Sequence, residues 1–87
     1  MSITVELFGV PRQRAGAASL TVEAKRLGDV LEQLANRFPD LAETCFDQQN
    51  LKPGYLANLD GERFIRDPDT PLRDGASLLI LSADAGG

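Results

Sequence analysis

Gly86 and Gly87 are adjacent, lack side chains and close the sequence after the short stretch Ala83–Ala85. At a glycine frequency of about 7%, such a terminal pair arises by chance about once in 200 proteins. Alone it is a modest signal, and a frayed end that does nothing explains it equally well. Its position adds weight: the pair follows the last strand-like segment, at the end of a tail that can extend about 17 Å at ~3.3 Å per residue. Without Cβ atoms, glycines let the backbone pass through a narrow channel and adopt conformations closed to other residues. The expected reactive group is the α-carboxylate of Gly87, with Gly86 and Ala85 presenting it to a partner. A carboxylate is a poor acyl donor until activated, so an enzyme that forms an acyl-adenylate must act before sulfur or an amine attacks. The chemistry then belongs to partners.

Other chemistry finds little support. Histidine is absent, which removes the commonest general base and metal ligand. Cys45 is the single cysteine, in none of the paired spacings of zinc or redox sites, and reads as a small hydrophobe. Asp60, Glu62, Asp67 and Asp69 surround turn signals and lack the regular spacing of a calcium loop, so turn chemistry explains them and no metal site is expected. A net charge of −4 opposes binding to a phosphate backbone, and Arg12 with Arg14 make too small a basic cluster for a nucleic-acid groove. No apolar run approaches the length of a membrane span, and Met1 leads straight into a strand pattern. The expectation is a cytoplasmic protein without a self-contained active site, a bound cofactor, or a nucleic-acid or membrane partner.

The elements that must carry this terminus are legible in the apolar spacing. Ile3, Val5 and Leu7 alternate with polar neighbours as a strand with one buried face. Gly9, Pro11 and Gly16 bracket a basic loop, and Leu20 to Glu23 resume the alternation, predicting a hairpin with a long loop. Leu27, Val30, Leu31, Leu34, Ala35 and Phe38 fall on one helical stripe that Pro39 ends. Arg26 stands where a polar cap is expected, with Asp29 in the first turn complementing the helix dipole.

Asp40 to Lys52 has no sustained period and reads as a connector with one short helical turn. Tyr55, Ala57 and Leu59 alternate up to Asp60-Gly61, a strong hairpin signal before Arg63, Phe64 and Ile65. After three turn signals and Leu72, a plug into the core, Ser77 to Leu81 reads as a strand covered on both faces or at the centre of a sheet. Strand, strand, helix, strand, strand, strand is an α+β roll. The folded domain covers 1–82, and 83–87 is expected to be a flexible tail. A single helix covers one sheet face, so Phe8, Phe64 and Leu79 are either core or an apolar docking patch on the other.

Val5-Glu6-Leu7-Phe8, Arg14-Ala15-Gly16, the stretch LEQLANRFP from Leu31 to Pro39, Thr70-Pro71-Leu72 with Asp74-Gly75, and Ala85-Gly86-Gly87 together resemble the MoaD/ThiS family of sulfur carriers. The likeness spans nearly the whole chain. It implies a ubiquitin-like β-grasp roll, a mixed sheet of four to five strands with one main helix packed on one face. It also implies a thiocarboxylate on Gly87, installed after adenylation by an E1-like enzyme of the MoeB/ThiF kind that uses ATP. In the closest branch, the molybdopterin synthase small subunit, the partner is the MoaE-like large subunit and the sulfur enters molybdopterin. Tails in that branch often carry proline and a bulky apolar residue, where this one reads Ser82-Ala83-Asp84-Ala85. Sulfur supply for thiamine, cysteine or transfer-RNA thiolation, isopeptide modification of proteins, and a plain interaction domain are the alternatives.

Overall fold

The computed structural model describes residues 1–86, with side chains described through Asp84; Gly87, the expected reactive terminus, lies outside the described residues. The elements run β1 (Ser2–Phe8), α1 (Val10–Ala15), β2 (Ser19–Glu23), α2 (Leu27–Arg37), α3 (Pro39–Cys45), β3 (Phe46–Asp47), β4 (Asn50–Leu51), β5 (Tyr55–Leu59), β6 (Arg63–Ile65) and β7 (Ser77–Ser82), with a 3₁₀ turn over Ala83–Gly86. Five strands form one mixed sheet in the order β2-β1-β7-β5-β6. β1 and β7 are parallel and the remaining neighbours antiparallel. This is the β-grasp roll that the family likeness implies. The last strand in sequence lies at the sheet centre, as its continuous apolar run predicts.

The core lies between the sheet and α2. Alternation turns Ile3, Val5 and Leu7 of β1, Leu78 and Ile80 of β7, and Ala57 and Leu59 of β5 toward the helix. Leu27, Val30, Leu31 and Leu34 meet them and are fully buried. Each such side chain removed from water contributes about 1.5–3 kcal/mol before its entropy cost, which is why the period-3.6 stripe holds the helix here. Leu72 joins this core as the expected plug.

The start of α2 is capped by a loop rather than by a side chain at Arg26. The Asp29 carboxylate accepts from the amides of Lys25 (3.1 Å) and Arg26 (3.2 Å). The amides of Leu27 and Gly28, free in any first helical turn, donate to Thr70 O (3.1 Å) and Pro68 O (2.8 Å). The turn-rich 67–76 segment is thereby tied to the helix. Asp67 accepts from the Asp69 amide at 2.8 Å, and Asp60 accepts from the Ser77 amide at 2.9 Å. Asp67 thus serves its own turn, as read from the sequence, and Asp60 ties the β5–β6 turn to the start of β7.

Two expectations need correction. Residues 10–15 form a helix, not a loop: Pro11 sits in its first turn, where its fixed φ suits a helix, and Gly16 ends it at φ +69°, donating to Arg12 O at 2.9 Å. Asp40 to Lys52 is also more ordered than a connector. Pro39 both ends α2 and opens α3, the Phe38 amide donating to Leu34 O while Phe38 O accepts from Ala42. Leu41 and Cys45 bury one face of α3, and Phe46 pairs with Leu51 in a two-stranded ribbon. Among the described residues no helix is long and apolar enough to cross a membrane.

Candidate functional site

β7 leads into the root of the tail. Ser82 is paired with Tyr55, and the next amide, that of Ala83, donates to Gly54 O at 2.8 Å. The backbone of Ala83–Gly86 then makes one 3₁₀ turn. Ala85 and Gly86 are described only by this backbone, and Gly87 lies outside the described residues. Asp84 is exposed, in keeping with a solvated tail residue.

The sheet face turned away from α2 carries the other predicted residues. Alternation puts Phe8, Leu56, Asn58, Phe64, Leu79 and Leu81 on it, opposite the buried set. Register orders them in two rows. Phe8 lies beside Leu81 and Leu81 beside Leu56; one step further from the tail, Glu6 lies beside Leu79, Leu79 beside Asn58 and Asn58 beside Phe64. Phe8 is 47% and Phe64 63% exposed, so neither is core, whereas Leu79 is half-buried. The structure thus brings Phe8, Phe64 and Leu79 onto one surface that runs up to the root of the tail. Leu56 and Leu81 complete that surface and were missed by sequence reasoning. Carrying the strict alternation through β5 and β7 would have found both.

A shallow depression of about 190 Å³ lined by Glu6, Asn58, Gly61, Ser77, Leu78 and Leu79 lies in the same face. A larger cavity of about 500 Å³, floored by Leu59, Leu72 and Ala76, lies beside Met1 at the start of β1. Because β1 and β7 are parallel, that is the end opposite Ala83. None of the predicted site residues lines it.

Cys45 offers no competing sulfur chemistry. It is fully buried, and burial pushes its thiol pKa up despite the opposing influence of Tyr55 and the charges of Arg14 and Lys52. Tyr55 is raised in turn, by desolvation first and then by Cys45. A buried thiol held protonated is a poor nucleophile. Among the described residues no three His, Cys, Asp or Glu side chains gather as a metal site. What this end of the molecule shows is the root of the tail, at Ala83, beside an apolar sheet face.

Comparison with protein families matches residues 5–87, through the final glycine, to the ThiS family. The chain belongs to the ThiS family. Membership bears out the resemblance to the MoaD/ThiS sulfur carriers. Comparison with curated proteins returns no match. Solved structures share the fold at low identity. SAMP1 from Haloferax volcanii is similar over 100% of both chains, with a TM-score of 0.84 at 23% identity. The chain is also similar to a structure from the BexX/CysO complex of Amycolatopsis orientalis, with a TM-score of 0.80 at 18% identity over 98% of this chain and 99% of the other. A third similar structure comes from the complex of subunits 1 and 2 of molybdopterin-converting factor from Helicobacter pylori. There the TM-score is 0.63 at 21% identity over 94% and 93% of the two chains.

Proposed function

We propose that this protein carries sulfur as a thiocarboxylate on Gly87 and donates it in molybdopterin synthesis. The observation that supports the carrier reading is the family match running through the diglycine, on a domain whose central strand leads directly into the tail. An E1-like enzyme of the MoeB/ThiF kind binds the tail, and the Gly87 carboxylate attacks the α-phosphorus of ATP, releasing pyrophosphate. A sulfide-level nucleophile supplied by the partner then attacks the acyl carbon; the C–S bond forms, the C–O bond to phosphate breaks, and AMP leaves. The protein contributes no acid or base to either step. It contributes a backbone thin enough to enter the partner's channel, and the outer face around Phe8, Leu79 and Phe64 as the docking surface that brings the terminus there.

The molybdopterin assignment draws on the similar Helicobacter pylori structure, which is a complex of two molybdopterin-converting factor subunits. In this reading the partner at the transfer step is a MoaE-like large subunit. Incubation with the adenylating enzyme of the same cell, ATP and sulfide is expected to exchange one oxygen for sulfur in the intact mass. A chain lacking Gly87 is expected to show no exchange, and a full-length chain that never gains sulfur removes the reading. Incubation of the charged chain with a large subunit and the molybdopterin precursor then tests the pathway. A second reading, a protein modifier in which a lysine amine attacks the same acyl-adenylate, has its precedent in the small archaeal modifier proteins of this fold. Heavier adducts in cells that vanish with Gly87 distinguish it.

A further inference from the structure

Arg66 follows β6, and its guanidinium reaches across to the turn that opens β5. Nη1 donates to Tyr55 O at 2.7 Å, and Nη2 donates to Lys52 O at 2.9 Å and Leu51 O at 3.1 Å. Among the described residues its partners are these three main-chain carbonyls, and no carboxylate pairs with it. The planar fork of an arginine holds several acceptors in one fixed arrangement, which an ammonium on a flexible stem does not do. The segment gripped is 51–55. It contains Gly54, at φ +93°, whose carbonyl accepts the Ala83 amide at 2.8 Å. Ala83 is the first residue of the tail after β7. Arg66 and Ala83 therefore hold the same turn from two directions.

Arg66 is itself exposed and adjoins an edge strand, so the core does not depend on its packing. What depends on it is the orientation of a turn whose other contact is the root of the tail. We propose that Arg66 is a positioning residue for the C-terminal tail. By fixing the 51–55 turn it holds Gly54 O where the Ala83 amide needs it, and so sets the direction in which the reactive terminus leaves the sheet. The inference rests on the carrier reading, since direction matters only where a partner must capture that terminus. Release of the Ala83 amide lets the tail leave along many paths, and the partner must then order it at the moment of capture.

The test uses the full chain with R66A and R66K. Residue-resolved amide hydrogen exchange is expected to accelerate at Ala83 by about tenfold or more in R66A, with Val5 and Ile80 unchanged, since local openings are independent of global unfolding. R66K, which keeps the charge and loses the fork, is expected to fall between. In adenylation by the cell's own activating enzyme, R66A is expected to raise KM for the carrier about fivefold with kcat unchanged, the pattern of weakened capture rather than altered chemistry. Unchanged exchange at Ala83, or equal acceleration at Val5 and Ile80, overturns the proposal. Faster exchange at Ala83 with an unchanged KM overturns the link to capture while leaving the carrier intact. A wild-type chain that is never adenylated ends the carrier reading, and the exchange data still decide whether Arg66 holds the tail root.

Discussion

Phe8 on β1 and Leu81 on β7 lie side by side on parallel central strands, on the sheet face away from α2, and Leu81 precedes the tail by one residue, Ser82. The apolar surface and the root of the tail are thereby parts of one strand. Contact with a partner across this face would bring that partner beside the root of the tail at Ala83.

Phe64 allows that surface to be tested apart from the fold. It is 63% exposed, so Phe64→Ser is expected to change stability by no more than about 0.5 kcal/mol. An aromatic anchor in a docking surface typically contributes about 2 kcal/mol or more, so affinity for the activating enzyme is expected to fall at least tenfold. Thermal melting followed by circular dichroism and titration calorimetry with that enzyme measure the two quantities.

Gly28 shows a helix glycine whose replacement should harm. In an open helix, Gly→Ala gains about 1 kcal/mol. Here a Cβ would lie 3.1 Å from Pro68 Cβ and 3.2 Å from Pro68 O, and that carbonyl is already fixed by the Gly28 amide at 2.8 Å. Retreat of the neighbour by the few tenths of an ångström required would stretch the bond that caps the helix. Gly28→Ala is expected to destabilise by about 1–3 kcal/mol in urea unfolding, the range for overpacking.

The same region shows what sequence reasoning reaches and where it stops. The stripe from Leu27 to Leu34, the alternation in β1 and β5, and the Asp60-Gly61 hairpin are visible because each is a local pattern tied to one buried face. The short helix at Val10–Ala15 is not, since six residues cannot make a stripe and Pro11 and Gly16 read as breakers when they are a first-turn residue and a cap. Nor is Arg66, whose partners 51, 52 and 55 are set by the pairing of β6 against β5. The Gly86-Gly87 pair was legible because it needs no partner within the chain. The outer sheet surface was legible in part, through Phe8, Phe64 and Leu79; Leu81 was hidden inside a continuous apolar run, and Leu56 stood unremarked at an outward position of the β5 alternation.

Asp29 holds the chain entering α2 by accepting from the amides just before the helix. Asp29→Ala leaves the amides of Lys25 and Arg26 without this acceptor. The loss is expected to cost about 0.5–2 kcal/mol, as for removal of a helix cap. Leu27 and Gly28 keep their loop carbonyls, so α2 is expected to persist, with an unchanged far-ultraviolet spectrum and a lowered melting temperature.

Cys45 gives a prediction with a pH sign. Burial raises the folded thiol pKa above its unfolded value, so the unfolded chain loses its proton first as pH rises. The stability contributed by keeping the thiol neutral is complete below the unfolded pKa and is lost as pH climbs through the folded one. Wild type is therefore expected to lose melting temperature on the alkaline side more steeply than Cys45→Ala, although the variant starts lower by about 1 kcal/mol for the cavity it leaves. At neutral pH the native thiol should be inert to a disulfide reagent and react only at the rate of unfolding. Rapid labelling of the folded protein would mean that the sulfur at 45 is available for chemistry, contrary to its zero exposure.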